Sequence, residues 1–315
     1  MHKVSIIIPV FNAQKYIAKL IRNLDEQTCK DFIAIFVDDA SSDDSVQILQ
    51  EESKKVGFEI KIIQHLQNEG PGKARNDAME SVSTPFFTFI DADDWVSSNY
   101  IEELLSSAQK SNADVVIGNA YKIWPNGQKK RHWDIASYQK HTTPVDMACI
   151  VDYGPWGKLF NTDLWDSETT SFPTNIRCED MASVSVLLNK ARKFAFAPTA
   201  YYYYYQTPIS RSRARGLFYN DIYESCKILE SRIDNPYIME YRYITSIGYG
   251  VLMNAILAKK DNKTIEYYID ILKGKFPNGY KHPLVHTIPL PKRIFIYLAY
   301  CKQIWLLRIL VKIAK

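Results

Sequence analysis

Three carboxylates follow an apolar run in the first third of the chain, within Asp91–Asp94. The preceding residues, Phe86–Ile90, are typical of a strand buried on both faces in a helix-covered parallel sheet. Side chains two apart on a strand point the same way, so Asp91 and Asp93 should project together from its carboxyl end, where open α/β sheets bind ligands. Adjacent carboxylates repel unless a cation neutralises them, and oxygen ligands suit Mg²⁺ or Mn²⁺. An acidic turn that caps the next helix is the alternative interpretation.

A second acidic segment follows an earlier predicted strand, Ile33–Val37. Because side chains alternate along a strand, one of Asp38 and Asp39 must face the same edge of the sheet. A carboxylate there can accept a hydrogen bond from the imide N–H of uracil or from a ribose hydroxyl. One residue of Ser41–Asp43 is better suited to capping the following helix, so part of this segment is structural.

The first predicted strand, Val4–Val10, ends near a proline and an aromatic residue. Pro9 cannot donate to the sheet ladder and leaves its neighbours free. The backbone of Pro9 and Val10, together with the ring of Phe11, can frame a flat base. Many α/β folds begin this way, so the pattern alone indicates little.

Two phosphate-binding motifs are excluded. Asn68–Asn76 is glycine-rich, but Gln67 stands where a P-loop needs glycine, and Ala74 stands where it needs Ser or Thr. No G-x-G-x-x-G follows the first strand, which excludes a dinucleotide-binding dehydrogenase.

These segments lie on alternating predicted strands and helices, which predicts a mainly parallel, helix-covered sheet. Helices are expected over residues 13–25, 44–55, 73–80, 100–110 and 179–190, and further strands over 59–64, 113–117 and 201–205. Asn126-Gly127 between two strand-like runs predicts a hairpin. From about Gly216 onward the pattern is helical.

The composition is that of a globular protein: 315 residues, 46% hydrophobic and 23% charged. A net charge of +4 is too mild to indicate a nucleic-acid partner. Five scattered cysteines without a CxxC pair suggest neither a zinc site nor a disulfide framework. No signal peptide is predicted, and no apolar stretch approaches the roughly 20 residues needed to span a bilayer. A cytoplasmic protein is expected, with peripheral attachment to the inner face of the cell membrane left open.

Taken together and in order, four segments resemble the family 2 glycosyltransferases of the GT-A fold: Ser5–Asn12, Val37–Asp43, Asn68–Asn76 and Asp91–Asp94. Ala40 replaces the usual glycine. The resemblance continues through Trp156–Phe160, Cys178–Asp180 and Tyr201–Tyr205, in the order typical of bacterial enzymes that build surface glycans. It implies a GT-A catalytic domain over residues 1–215, with a nucleotide-binding half (1–95) and an acceptor half (96–215). A helical domain would follow over 216–315.

The resemblance also implies residue roles. The donor, a UDP-sugar, would be bound at the strand ends: Pro9, Val10 and Phe11 around the base, Asp39 on uracil, Arg75 on the nucleotide side, and Asp91 with Ala92 at the ribose. Asp93 would hold Mn²⁺ or Mg²⁺ on the diphosphate, with Asp94 as the second candidate.

Asp180 would be the general base, in a single displacement that inverts the anomeric carbon. Glu179 would orient the acceptor or support Asp180. Without the resemblance, the pair also fits an acidic helix start favoured by the helix dipole. Trp156 could stack on a sugar or be a packed aromatic. One of Arg211, Arg213 and Arg215 could close over the diphosphate, or all three could lie in a solvated loop.

The acceptor would be a glycan or polyprenyl-linked hydroxyl in bacterial surface-polysaccharide synthesis. Arg308, Lys312 and Lys315 fall within about 60° on a helix that carries Trp305, which suits an anionic leaflet. Packing on the catalytic domain or a homodimer would explain its apolar face equally well. A nucleotidyltransferase and an inactive sugar-nucleotide-binding subunit are the alternative functions.

Overall fold

The first part of the chain, the predicted nucleotide-binding half, is a parallel sheet with helices between its strands. The computed structural model describes residues 2–207 and 218–313. This half contains β1 (Val4–Val10), α1 (Ile17–Asp25), β2 (Phe32–Asp38), α2 (Ser45–Ser53), β3 (Glu59–Gln64), α3 (Pro71–Met79) and β4 (Phe86–Phe89). The strand order is β3-β2-β1-β4, and every neighbouring pair is parallel. The carboxyl ends of β1, β2 and β4 therefore meet at one edge.

Burial explains why these segments form this layer. Ile6, Ile7 and Ile8 are fully buried, as a strand covered on both faces requires. On α1 the buried residues Ile17, Leu20, Ile21 and Leu24 recur at helical spacing, so one stripe of the helix packs on the sheet.

The predicted acceptor half extends the same sheet with mixed pairing. It contains β5 (Trp95–Val96), α4 (Tyr100–Ser111), β6 (Val115–Ile123), β7 (Lys129–Trp133), α5 (Ile135–Tyr138), α6 (Pro144–Ile150), β8 (Lys158–Asn161), α7 (Glu179–Lys190) and β9 (Phe194–Tyr205). β8 lies antiparallel between β4 and β6 and joins the two halves, whereas β6 and β9 are parallel. The predicted hairpin is confirmed by the antiparallel pair β6–β7. The expected helix-covered α/β fold is confirmed, with its parallel pairing concentrated in the first half.

Helices make up the carboxyl-terminal region. They are α8 (Tyr219–Arg232), α9 (Pro236–Thr245), a π-helical segment (Ser246–Val251), α10 (Leu252–Leu257), α11 (Asn262–Lys275), α12 (Leu290–Tyr300) and α13 (Ile304–Ile313). Side chains tie them to the acceptor half: the Ser225 hydroxyl donates to the Cys178 carbonyl (2.9 Å), and the buried Arg242 donates to the Ala148 carbonyl (2.6 Å). None of the helices described is long and apolar enough to cross a bilayer.

Candidate active site

The carboxylates after β4 occupy two different environments. Asp94 is buried, and both its oxygens are engaged by β9: the Tyr202 hydroxyl donates to one (2.6 Å) and the Tyr205 N–H to the other (2.7 Å). Asp93 is only partly buried and lies beside Asp91. Burial, reinforced by the charge of Asp91, raises the pKa of Asp93 to about 6. Asp93 is therefore the carboxyl group better placed to receive a cation.

A buried arginine joins the two halves of the site. Arg75, on α3, is 5% exposed. Its guanidinium donates to Asp91 after β4 (3.0 Å) and to Glu179 at the start of α7 (2.9 Å), and it lies 5.4 Å from the Phe172 ring centroid. The structure thus places Arg75 between acidic residues of the predicted donor and acceptor sides, and this bridge brings them together.

Asp180 lies next to this bridge in the first turn of α7. One of its oxygens accepts from the Met181 N–H (2.8 Å). Burial raises the pKa of Asp180 to about 7, and the charge of Glu179 adds to this effect while that of Arg75 opposes it. A carboxyl group with such a pKa can exchange a proton near neutral pH, as a general base must.

At the end of β2, the two aspartates have separate surroundings. Asp39 is buried and accepts hydrogen bonds from the Glu69 and Gly70 N–H groups (both 2.8 Å), and its Oδ1 lies 2.9 Å from Nδ1 of His65. Asp38 accepts from the Ser41 N–H (3.1 Å), and its other oxygen is buried without a hydrogen-bond partner. Asp39 therefore ties the predicted base pocket to the loop before α3.

The chain turns sharply where β1 and β2 end. Asn12 and Ala40 both have left-handed backbone conformations, with φ values of 50° and 57°. The turns are cross-linked, because the Asn12 side chain accepts from the Ser42 N–H (2.9 Å) and the Asn12 N–H donates to the Ser41 hydroxyl (3.0 Å). Among the predicted base-pocket residues, Pro9 and Val10 are at least partly buried, whereas Phe11 is 42% exposed at this edge.

Trp156 is packed on both ring faces. Trp133 stacks on one side (centroids 4.8 Å apart, planes at 12°) and Tyr202 on the other (4.6 Å, 14°). The sugar-stacking role predicted for Trp156 has no open ring face here, so the packed-aromatic interpretation fits its surroundings. Arg211, Arg213 and Arg215 lie outside the described residues.

Three further residues with contacts at the site, His65, Tyr202 and Lys158, are not indicated as functional by the sequence motifs. His65 lies within 2.9 Å of Asp39 and of Asp77, and Tyr202 accepts from the Asp91 N–H (3.1 Å) while donating to Asp94. Lys158 is fully buried and donates to the carbonyls of Gly154 and Trp156, and burial lowers its pKa to about 8. Alternation along Tyr201–Tyr205 signals that some hydroxyls face inward. No sequence pattern marks the partners of His65 or Lys158.

The family of the chain follows from comparison with known proteins. The family model described as glycosyl transferase family 2 matches residues 5–187, more than half of the chain. The protein belongs to this family of glycosyltransferases, which confirms the resemblance described above.

Curated relatives include larger proteins. The chain is 31% identical over 209 residues to a poly(ribitol-phosphate) beta-glucosyltransferase of Bacillus spizizenii, covering 64% of this chain and 32% of that protein. It is 24% identical over 244 residues to the poly(ribitol-phosphate) beta-N-acetylglucosaminyltransferase TarS of Staphylococcus aureus, covering 76% and 42%. With the putative glycosyltransferase EpsH of Bacillus subtilis it shares 30% identity over 209 residues, covering 64% and 60%. The chain thus spans less than two thirds of the length of these relatives.

Solved structures support the fold. Residues 1–349 of S. aureus TarS in complex with UDP-GlcNAc superpose with a TM-score of 0.74 at 21% identity, covering 98% of this chain and 90% of that one. The UDP complex of the same protein gives a TM-score of 0.71 at 23% identity, with the same coverage. The GT-A-like architecture is therefore shared, and the superposition covers both the sheet and the carboxyl-terminal helices.

Proposed function

We propose that the chain is an inverting, metal-dependent glycosyltransferase of bacterial cell-surface polysaccharide synthesis. It would move a sugar from a UDP-sugar to a hydroxyl of a glycan or polyprenyl-linked acceptor. The observation that best supports this proposal is the Arg75 bridge, which joins Asp91 on the donor side to Glu179, the neighbour of Asp180. UDP and UDP-GlcNAc in complexes of TarS, which has the same fold, support the choice of donor.

The residues present divide the reaction between them. Asp180 accepts the proton of the acceptor hydroxyl as that oxygen attacks the anomeric carbon from the side opposite the leaving UDP, which inverts the configuration. Asp39 is held in place by the Glu69 and Gly70 N–H groups, and a second lone pair of its Oδ2 accepts the uracil imide N–H. Asp91 binds the ribose. Glu179, held by Arg75, orients the acceptor beside the base.

Asp93 is the residue we assign to Mn²⁺ or Mg²⁺. Burial and the charge of Asp91 raise its pKa to about 6, so a cation beside it would favour the ionised carboxylate. Asp94 fits less well because β9 already engages both its oxygens. A bound cation would neutralise charge on the departing diphosphate. A mannosyltransferase of Pyrobaculum calidifontis solved with GDP-Man and Mn²⁺ shares the fold at a TM-score of 0.55.

UDP release from UDP-GlcNAc, UDP-glucose and UDP-galactose with Mn²⁺ tests the proposal, because an enzyme of this kind can transfer its sugar to water. We expect release from at least one donor, and loss of that release in Asp180→Asn. Pyrophosphate release from UTP and a sugar phosphate would instead identify a nucleotidyltransferase. UDP binding without turnover of any donor, with or without a cell-wall acceptor fraction, would identify an inactive binding subunit.

We further propose that α12 and α13 rest on an anionic membrane surface. After Asp270 the chain has nine Lys and Arg residues and no Asp or Glu, although the whole protein carries a net charge of only +4. Both helices expose apolar side chains at helical spacing: Leu290, Ile294, Tyr297, Trp305, Ile309 and Ile313. Basic and apolar groups together bind headgroups and acyl chains. Arg308 contributes less than predicted, because it donates to the Lys260 carbonyl and the Asn262 side chain.

Sedimentation with vesicles tests this surface. The full chain should bind vesicles containing phosphatidylglycerol but not pure phosphatidylcholine, and salt should weaken the binding. The double substitution Trp305→Ser, Ile309→Ser should reduce binding, whereas Tyr267→Ser, an exposed aromatic on α11, should not. A concentration-dependent dimer that these same substitutions dissociate, without vesicle binding, would show that the face binds a second copy.

A further inference from the structure

A cavity of about 340 Å³ lies between the acceptor half and the carboxyl-terminal helices. Its walls come from α5, the segment after α6, α9, the π-helical segment and α12. None of the residues assigned to the donor or the cation lines it. The cavity therefore belongs to neither of the assigned sites, although its volume lies within the usual range for a ligand pocket.

The lining is rich in hydroxyl groups and carries both signs of charge. Its polar side chains include Ser137, Tyr138, Asp152, Thr245, Tyr249 and Lys292. The Lys292 ammonium lies 4.8 Å from the Tyr249 ring centroid at the wall. Hydroxyls, a carboxylate and an ammonium can both donate to and accept from the hydroxyls of a ligand, while tyrosine rings pack on its C–H faces. This chemistry suits a polyhydroxylated ligand.

Asp152 connects the cavity to the proposed base. It lines the cavity, and its position is fixed by the Gly154 N–H, which donates to its Oδ1 (2.7 Å). Burial is the main reason for the raised pKa of Asp180, but the charge of Asp152 is near enough to add to it. The next residue, Tyr153, is also within electrostatic reach of Asp180. Asp152 thus lines the cavity and also acts electrostatically on Asp180.

We propose that this cavity binds a polyhydroxylated segment of the acceptor, a glycan or polyol chain. The assignment rests on the proposed glycosyltransferase function and adds the place where the acceptor is bound. Lys292 would hold a phosphate or carboxylate group of that chain where one is present.

Ligand-observed NMR tests the cavity without turnover. Saturation transfer to ribitol 5-phosphate, glycerol 1-phosphate and cellotriose is measured with the full chain in the presence of UDP and Mn²⁺. We expect transfer to at least one probe. Lys292→Met should weaken binding of a phosphorylated probe about tenfold, as loss of a charged hydrogen bond predicts. Ser137→Leu, which places a larger side chain at the wall of the cavity, should weaken the binding of every probe.

Lys263→Met, an exposed lysine on α11, is the matched control and should leave the probe signal unchanged. Circular dichroism verifies that each variant is folded. Absence of signal from all three probes, or a signal that neither cavity substitution changes, would overturn the assignment. UDP affinity, measured by calorimetry on the same samples, separates the two proposals. Failure of the wild-type chain to bind UDP would count against the donor site, whatever the cavity does.

Discussion

Arg75 and Glu179, 104 residues apart in the chain, are joined by a 2.9 Å hydrogen bond between guanidinium and carboxylate. The other arm of the same guanidinium holds Asp91 at 3.0 Å. A planar, forked donor can hold two carboxylates at once, whereas an ammonium is a single point charge. The bridge therefore fixes the spacing between Asp91 and Glu179, the residues proposed to bind the ribose and to orient the acceptor.

Arg75→Lys should lower kcat/KM by about 10–100-fold, since one of two charged hydrogen bonds is lost. Because the charge of Arg75 lowers the pKa of Asp180, a displaced charge should also move the acidic limb of the pH–rate profile upward. The profile is measured by UDP release across the neutral range. Lys190→Arg, at the other end of α7, is the control. A variant with wild-type rate and an unmoved profile would mean that the bridge has no part in catalysis.

Asp180→Asn should lower turnover by about 10²–10⁴-fold while UDP affinity stays within experimental error, because an amide cannot take a proton. In the wild-type protein the base must be ionised, so the rate should rise as pH increases through about 7 and then level off. Steady-state kinetics and UDP calorimetry check the two parts. Near-normal turnover of the variant would remove the base assignment.

Asp93→Ala should abolish stimulation by Mn²⁺, whereas Asp94→Asn should mainly destabilise the fold. The reason is that Asp94 anchors Tyr202 and Tyr205 of β9, and a weakened buried network costs about 1–3 kcal/mol. Metal titrations of UDP release and thermal melts distinguish the two effects. If the Asp93 variant still lost activity on adding a chelator, the cation would have to be bound elsewhere.

Ala40→Gly should raise the free energy of unfolding by about 1 kcal/mol. Ala40 adopts a φ of 57°, where a Cβ atom is penalised and glycine is not. Urea denaturation measures the change. Ala136→Gly, on the exposed face of α5, is the control and should lower the free energy of unfolding. Equal or lower stability of the Ala40 variant would show that the turn relaxes on its own.

The succession of strands and helices along the chain and the acidic strand ends could be predicted because they depend on local pattern. An apolar run such as Val4–Val10 predicts a buried strand. The helical spacing of Ile17, Leu20 and Leu24 predicts a helix with one buried face. The start of α7 at Glu179 also agreed with its sequence pattern.

Contacts between distant segments could not be predicted. Nothing near Trp156 in the sequence indicates that Trp133 and Tyr202 cover its two faces, and nothing near Asp94 indicates that Tyr202 uses one of its oxygens. These contacts depend on β8 and β9 joining the sheet next to β4 and β6, and pairing between strands so far apart in sequence leaves no local periodic signal.

The raised pKa values of Asp93 and Asp180 lead to a final prediction, which concerns stability in the absence of ligands. Burial raises the pKa of Asp93 to about 6 and that of Asp180 to about 7, above their ordinary value of 3.8, so the folded state binds more protons than the unfolded state between these values. The free energy of unfolding should therefore fall as pH rises from about 4 to about 7, and Mn²⁺ with UDP should offset part of that loss. Thermal melts of the wild-type protein and of an Asp93→Asn, Asp180→Asn double variant isolate this contribution from other titrating groups. The double variant should lose less stability across this range, and parallel curves for the two proteins would show that these carboxyl groups are not the source.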